Sequence, residues 1–128
     1  MASEGYHEDE SALSAGLKDR HRAIVSIMEE LEAIDWYDQR VEVCSDPELA
    51  ELLAHNRDEE KEHAAMVLEW LRRRDPKLDH NLRTYLFTDG TKVIDVEKAV
   101  EEGGGGSGGG GAGSGEISIG DLRGGSTL

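Results

Sequence analysis

Apolar residues recur every three to four positions along two long stretches of this chain, the spacing of an α-helix that buries one face. The first stretch begins between Ser11 and Ala15 and continues to about Val43. Its apolar positions are Leu13, Leu17, Ile24, Ile27, Met28, Leu31 and Ile34. The second stretch continues to about Arg74, with Leu49, Leu52, Leu53, Met66, Val67, Trp70 and Leu71. The pattern predicts two helices of similar length.

A short polar segment, Cys44-Ser45-Asp46-Pro47, separates the two predicted helices. Ser45 or Asp46 can cap the second helix, and Pro47 suits its first turn. Glu48 completes a capping-box pattern with Ser45. Helices joined by so short a turn pack side by side and antiparallel, so we expect an all-α fold built on a two-helix hairpin.

After the second helix, the sequence first predicts shorter helices and then becomes rich in glycine. Asp75-Pro76 predicts a stop or a kink in the second helix, and residues 78–87 are apolar enough to continue as helix. Asp89-Gly90 predicts a turn, and residues 92–102 are predicted to form a short C-terminal helix. Glycine then dominates. The sequence therefore predicts a flexible N-terminal arm over 1–10, a helical domain over 11–102, a Gly-rich linker over 103–115 and a tail over 116–128.

The formal net charge is −14, and nearly all of it lies before Gly103. A chain without a basic patch has no means of binding nucleic acid or an anionic membrane, so both are excluded as partners. The acidic surface favours the attraction of cations. It also serves to keep a small protein in solution, and charge alone does not separate these two roles.

Cysteine use and the N-terminus bear on the compartment. Cys44 is the only cysteine, so no disulfide forms within the chain, which is typical of a reducing compartment. The first residues contain neither a basic region nor an apolar stretch, and no run approaches the ~20 apolar residues of a membrane span. We expect a cytoplasmic protein.

Glu60 and His63 are three residues apart, so they share one face of the second helix. Glu30 lies about as far before the turn as Glu60 lies after it. In a hairpin both carboxylates would lie about 22 Å from the turn, at one level. Glu30 also falls on the apolar row of Ile27 and Ile34. An uncompensated carboxylate there costs several kcal/mol, so it must be paired, protonated or bound to metal.

One chain offers one Glu and one Glu-x-x-His, and a carboxylate-bridged di-iron site in a four-helix bundle needs two of each. The count predicts a homodimer with a di-iron centre at its interface. Carboxylates and one imidazole per metal suit iron, and the absence of thiolates argues against structural zinc. In the alternative, Glu30 and Glu60 pair across an interface with basic groups. The candidates are Arg20, Arg57, Lys61 and His63.

Two further alternatives concern function. The chain can be an acidic helical oligomer or adaptor without catalytic metal, whose central carboxylates only fix register. It can also hold a different di-metal centre, such as manganese, for other redox chemistry. A substrate pocket beside the metals would favour the latter.

Glu29, Glu32 and Trp36 form a neighbouring row at spacings of three and seven residues. They can form an acidic mouth through which cations reach the site, and a solvated acidic face gives the same spacing. Tyr37 can hydrogen-bond a metal ligand or pack at the edge of the core.

Three segments of the chain, residues 21–37, 55–66 and 82–88, resemble the encapsulated ferritins, ferroxidase cargo proteins of encapsulin shells. They read HRAIVSIMEELEAIDWY, HNRDEEKEHAAM and LRTYLFT, and the resemblance covers about residues 10–90. It implies a half-ferritin hairpin that dimerises into a four-helix bundle, with five dimers closing a decameric ring.

The resemblance also assigns roles to residues. It implies Fe(II) oxidation by dioxygen at ligands Glu30, Glu60 and His63. The outer positions where metal enters would fall on Glu29, Glu32 and Trp36. Tyr37 matches a tyrosine close to the metal centre of the family.

The tail segment Ile117-Ser118-Ile119-Gly120-Asp121-Leu122-Arg123 resembles the short peptide that encapsulin shells capture on their inner wall. Ile117, Ile119 and Leu122 would be its apolar anchors, and their alternation suits an extended segment in a groove. Ile117 and Asp121 depart from the usual Leu and Ser. The resemblance implies an encapsulin shell as partner, with iron stored in the lumen of the shell.

Overall fold

A computed structural model describes residues 5–104 of the chain, and this part is helical almost throughout. A 3₁₀ turn over Glu10–Ala12 precedes four α-helices. These are α1 (Ala15–Val43), α2 (Pro47–Arg72), α3 (Pro76–Tyr85) and α4 (Val93–Gly104). Residues 5–104 contain no strand, which confirms the predicted all-α class. No helix of this part of the chain combines the length and apolar character of a membrane span.

The ends of the two long helices are set by side chains that cap them. Ser14 Oγ accepts a hydrogen bond from the backbone N–H of Leu17 at 3.1 Å, so α1 begins at Ala15. Asp46, rather than Ser45, caps α2, and its Oδ1 accepts from the N–H of Glu48 at 3.1 Å. Only residues 44–46 separate the helices. So short a connection folds α2 back along α1.

Ion pairs along the hairpin follow antiparallel order. Asp38 pairs with Arg57 near the turn, and Glu30 lies beside His63 further from it. This is the order that an antiparallel pair of helices requires. The predicted two-helix hairpin is therefore confirmed, with α1 against α2.

A cluster of charges fastens α3 to the end of α2. The guanidinium of Arg72 donates to Asp79 on α3, and Arg83 Nε donates to the same carboxylate at 2.9 Å. Arg72 and Arg73 both donate to Glu69, and these bonds lower the pKa of Glu69 to about 2. All of these residues belong to the first of two compact units, which ends at Thr84.

The second unit begins at Tyr85, and the described part of it contains α4. This helix carries valines at positions 93, 96 and 100, which lie three to four residues apart and so share one face. Val93 and Val100 are exposed in the single chain.

The hairpin lacks a closed core of its own. Leu71, at 6% exposure, is the only buried side chain in residues 5–104. Many large apolar side chains of α1 and α2 remain open to solvent, among them Leu17, Ile24, Leu31, Leu49, Leu52 and Met66. Burial of apolar area is the main favourable contribution to folding. A single chain with this much exposed apolar area therefore needs a contact with another surface to complete its core.

Candidate metal centre

Glu30 of α1 and Glu60 and His63 of α2 converge at mid-height of the hairpin. Each contributes one potential ligand atom, and all of these atoms lie within 4.8 Å of one another. His63 Nδ1 is 3.7 Å from Glu30 Oε2 and 3.5 Å from Glu60 Oε2. Within residues 5–104 this is the only group of three or more such side chains close enough to share a metal ion.

The convergence follows from the position of each residue along its helix. Glu60 and His63 lie one helical turn apart, so both side chains project from one face of α2. Glu30 meets them because it and Glu60 lie at similar distances from the turn. The side chains of Glu30 and Glu60 are 23% and 25% exposed, and that of His63 is 47% exposed. The cluster is therefore half open to its surroundings.

Glu60 makes the carboxyl group of Glu30 harder to ionise. A hydrogen bond with Glu60 raises the pKa of Glu30, and desolvation and the negative charge of Glu60 raise it further. His63 acts in the opposite direction and lowers the pKa of Glu30. Two carboxylates this close repel each other when both are ionised, so a bound cation would relieve an existing strain.

The basic residues near the cluster are engaged elsewhere. Arg57 donates to Asp38 and Asp58, each at 3.1 Å, and Lys61 lies 3.5 Å from Asp58. Within one chain, the basic group beside the two glutamates is therefore His63. Intrachain pairing with Arg57 or Lys61 does not account for a carboxylate at these positions.

Two carboxylates and one imidazole form a donor set for a hard or borderline divalent cation such as Fe(II), Mn(II) or Zn(II). Oxygen donors can bridge two such ions, whereas an imidazole nitrogen binds one. Three donors from one side do not complete the octahedral shell that oxygen-rich sites give such cations. The exposed side of the cluster is where further ligands would have to come from.

The structure places Glu29, Glu32 and Trp36 on α1 outside this cluster, all three exposed. The charge of Glu29 still acts on the cluster, since it contributes to the raised pKa of Glu30. Trp36 lines a shallow pocket of about 330 Å³ with Gln39 and Arg40.

Tyr37 lies on the same helix, with the Arg40 guanidinium 5.4 Å from the centre of its ring. None of the hydrogen bonds within residues 5–104 joins Tyr37 to the three potential ligands. The predicted tail anchors Ile117, Ile119 and Leu122 lie outside the described residues.

An apolar groove lies on the face of the hairpin that carries the cluster, a feature that the sequence did not single out. It has a volume of about 360 Å³, and most of its lining surface is apolar. Ala23, Met66, Val67 and Trp70 line it together with Asp19, Arg22 and Ser26. Val67 follows His63 by four residues, so the groove begins one helical turn from the cluster. A partner laid across the cluster would also cover this groove. Met66 is 63% exposed in the single chain.

The comparison with protein families gives a match over the helical part of the chain. Residues 5–89 match the family model described as EncFtn-like. The match includes α1, α2 and α3, and with them all three residues of the cluster.

Individual relatives extend this result. The chain is 55% identical to the "Encapsulated ferritin-like protein" of Rhodospirillum rubrum over 132 aligned positions, covering 100% of this chain and 94% of the relative. It is 52% identical to the "Ferritin-like protein" of Thermotoga maritima, covering 80% of this chain and 86% of that one. The crystal structure of protein ne0167 from Nitrosomonas europaea is 62% identical, with a TM-score of 0.64. That match covers 66% of this chain and 92% of the other.

Proposed function

Because this chain belongs to the EncFtn-like family, we propose that it is a ferroxidase, an enzyme that oxidises Fe(II) to Fe(III) with dioxygen. The convergence of Glu30, Glu60 and His63 carries this proposal. Fe(II) is the substrate. The reaction takes place at a di-iron site formed across a dimer interface.

The dimer follows from the number of ligands. A single chain supplies two carboxylates and one imidazole on a half-open surface. A two-fold axis beside the cluster doubles this set to four carboxylates and two imidazoles, which is the set used by di-iron carboxylate sites in four-helix bundles. The same contact covers the apolar groove beside His63, so it supplies the core that the single hairpin lacks. Further contacts of the exposed apolar residues would allow dimers to assemble into a ring.

The chemistry suits the donor set. Glutamate oxygens are hard ligands that remain bound as iron changes from the ferrous to the ferric state. Each of two Fe(II) ions gives up one electron to dioxygen, which takes up two protons and leaves as hydrogen peroxide. Ligation by only one imidazole per iron keeps a coordination position open for dioxygen. Glu29, Glu32 and Trp36 are proposed as the outer positions through which Fe(II) reaches the site, and Tyr37 as a residue beside it.

We also propose that the protein works as cargo inside an encapsulin nanocompartment in the cytoplasm. The Rhodospirillum rubrum relative is named as an encapsulated protein, and the alignment covers the whole of this chain. The tail segment that contains Ile117, Ile119 and Leu122 is the proposed contact with the encapsulin shell protein. A ring of dimers encloses no cavity of its own, so Fe(III) would be stored in the lumen of the shell.

The direct test is oxidation of Fe(II) added anaerobically and then exposed to air, followed by the absorbance of Fe(III). Glu60→Ala and His63→Ala should lose the catalysed phase, a fall of at least about tenfold, because each removes two of six ligands from a dimer. His55→Ala is the matched control, since His55 lies on α2 beside Glu59 and outside the cluster. Unchanged rates in both ligand variants would refute the ferroxidase proposal.

Two alternative functions can be distinguished from ferroxidase activity with the same purified protein. A structural adaptor predicts that Fe(II) changes neither the assembly nor the stability of the chain, which size-exclusion chromatography with and without Fe(II) measures. A manganese redox enzyme predicts that Mn(II)-loaded protein decomposes hydrogen peroxide while the Fe(II)-loaded protein shows no catalysed oxidation.

A further inference from the structure

Asp38 on α1 and Arg57 on α2 form an ion pair across the hairpin, close to the metal cluster. The distance between Arg57 Nη1 and Asp38 Oδ1 is 3.1 Å, and Arg57 Nε donates to Asp58 at the same distance. Two sides of the guanidinium are thereby bound to carboxylates that lie outside the cluster. The side chain of Arg57 is 23% exposed, so solvent is largely kept from it.

Arg57 lies within reach of a metal ligand. It precedes Glu60 by three residues, a spacing at which side chains on a helix are neighbours, with about 5–6 Å between Cβ atoms. A guanidinium binds a carboxylate through two parallel hydrogen bonds. Bound in this way to Glu60, Arg57 would occupy the oxygen atoms that a metal ion needs. The availability of Glu60 therefore depends on where Arg57 is held.

Asp38 draws the guanidinium away from the cluster. Asp38 follows Glu30 by eight residues, so it lies about 12 Å further along α1 toward the turn. The backbone of Arg57 lies only about 4.5 Å beyond the level of Glu60 in the same direction. Asp38 also continues the row of Ile24 and Leu31 at seven-residue spacing, which differs from the row that carries Glu30. Binding to Asp38 therefore extends Arg57 toward the turn and away from the row of α1 that carries Glu30.

The electrostatics of the cluster agree with this arrangement. The pKa of Glu30 is raised by Glu60 and by desolvation, and the group that opposes this is His63. Arg57 instead donates to Asp58 and to Asp38, and these bonds raise the pKa of the guanidinium. The guanidinium is thus bound to carboxylates other than the two glutamates of the cluster.

We propose that Asp38, assisted by Asp58, holds Arg57 out of the metal cluster, which makes Asp38 a positioning residue that keeps Glu60 available as a ligand. The inference rests on the proposed function, because it requires that the cluster binds a divalent cation. Metal binding then requires more than the three ligands, because the nearby Arg57 must also be bound elsewhere.

The experiment compares four full-length chains by titration with Co(II), which reports binding through its visible absorption bands, at one protein concentration and neutral pH. The chains are the native protein, Asp38→Ala, Arg57→Gln and the double variant. Asp38→Ala should bind Co(II) roughly two- to fivefold more weakly, because the freed Arg57 competes for Glu60. Arg57→Gln alone should bind at least as tightly as the native chain.

The double variant is decisive. With Arg57 neutralised, loss of Asp38 should no longer matter, so affinity should return to within about twofold of the native value. Asp35→Ala is the matched control, because it removes one negative charge from α1 at a residue that makes no ion pair within residues 5–104. A double variant as weak as Asp38→Ala would overturn the proposal, since it would show that the ion pair only braces the hairpin. Native affinity in Asp38→Ala would overturn it as well.

Failure of the proposed function gives a different pattern. If the cluster is not a metal site, Glu60→Gln binds Co(II) as well as the native chain does, and this result would overturn both proposals. If Glu60→Gln binds weakly while Asp38→Ala binds normally, the metal site stands and the role of Asp38 is refuted.

Discussion

His63 on α2 lies with its Nδ1 atom 3.7 Å from Oε2 of Glu30 on α1, although 33 positions separate the two residues along the chain. The contact exists because the short turn over residues 44–46 brings equal lengths of α1 and α2 side by side. This contact brings Glu30 to the Glu-x-x-His pair of α2, so that three potential ligands converge. Glu60 completes the group and also raises the pKa of Glu30, and this raised pKa leads to two predictions.

Glu30→Gln should stabilise the chain without metal at pH 7–8, by roughly 0.5 kcal/mol, because it removes a partly desolvated charge beside Glu60. The sign follows from the raised pKa of Glu30. A group with a raised pKa in the folded state contributes stability below its ordinary value of 4.5 and loses it as pH rises through the folded value. The gain should therefore vanish below about pH 4.5, as measured by denaturant unfolding at both pH values.

Glu42→Gln is the control for this prediction, since Glu42 is an exposed residue of α1 outside the cluster. Addition of Co(II) should reverse the order of stability, because metal bound to the folded native chain stabilises it by mass action. A Glu30→Gln chain that is less stable than the native chain without metal would contradict the assigned strain.

Metal affinity should fall as the pH is lowered from 8 to 5. Protons compete with metal for both carboxylates and for the imidazole of His63, and Glu30 begins to take up its proton at a higher pH than an isolated glutamate because its pKa is raised. Co(II) titrations at several pH values measure the effect. Assembly should weaken over the same range if metal closes the dimer. An oligomer of constant size between pH 8 and 5 would count against that coupling.

The groove beside the cluster predicts where the second chain lies. Met66→Glu places a charge in the apolar groove and should reduce both self-association and Fe(II) oxidation, because it blocks the contact that completes the site. Ala65→Glu is a matched control one position earlier, exposed and outside the groove. Light scattering coupled to size-exclusion chromatography measures assembly. Equal effects of the two substitutions would place the dimer contact elsewhere.

Much of this architecture could be predicted from the sequence because it depends on spacing along helices. The capping signals before Pro47 and the apolar periodicity gave two antiparallel helices, and counting from the turn placed Glu30 level with Glu60. The convergence of these residues with His63 could thus be foreseen.

The ion pair of Asp38 with Arg57 could not be predicted by counting from the turn, because that count places Asp38 about 7.5 Å nearer to the turn than the backbone of Arg57, and the long arginine side chain spans the difference. Periodicity predicts which face of a helix a residue occupies, but it does not predict with which of several carboxylates an arginine forms an ion pair. Asp38 and Asp58 both compete for Arg57, and the choice depends on side-chain geometry. The groove at Met66 was missed for a related reason, since an apolar side chain at helical spacing has the same pattern whether or not its own chain covers it.

The charge cluster between α2 and α3 gives a last prediction, which concerns stability alone. Glu69 accepts hydrogen bonds from Arg72 and Arg73, and these lower its pKa from an ordinary value of 4.5 to about 2. A carboxylate with a lowered pKa contributes stability above its ordinary value and loses this contribution as pH falls toward the folded value. Glu69→Gln should therefore destabilise the chain at pH 7, and the difference from the native chain should shrink between about pH 4.5 and pH 2.

The expected loss at pH 7 is about 0.5–1 kcal/mol, because the Glu69 side chain is 37% exposed and solvent screens its ion pairs. Denaturant unfolding without metal, at one protein concentration, measures it at pH 7, pH 3 and pH 2. Glu62→Gln is the control, an exposed glutamate of the same helix that makes no ion pair in the described part of the chain. A loss that persists unchanged at pH 2 would show that Glu69 acts by packing, since most of the stability that its charge contributes is lost by the time the pH reaches the folded pKa.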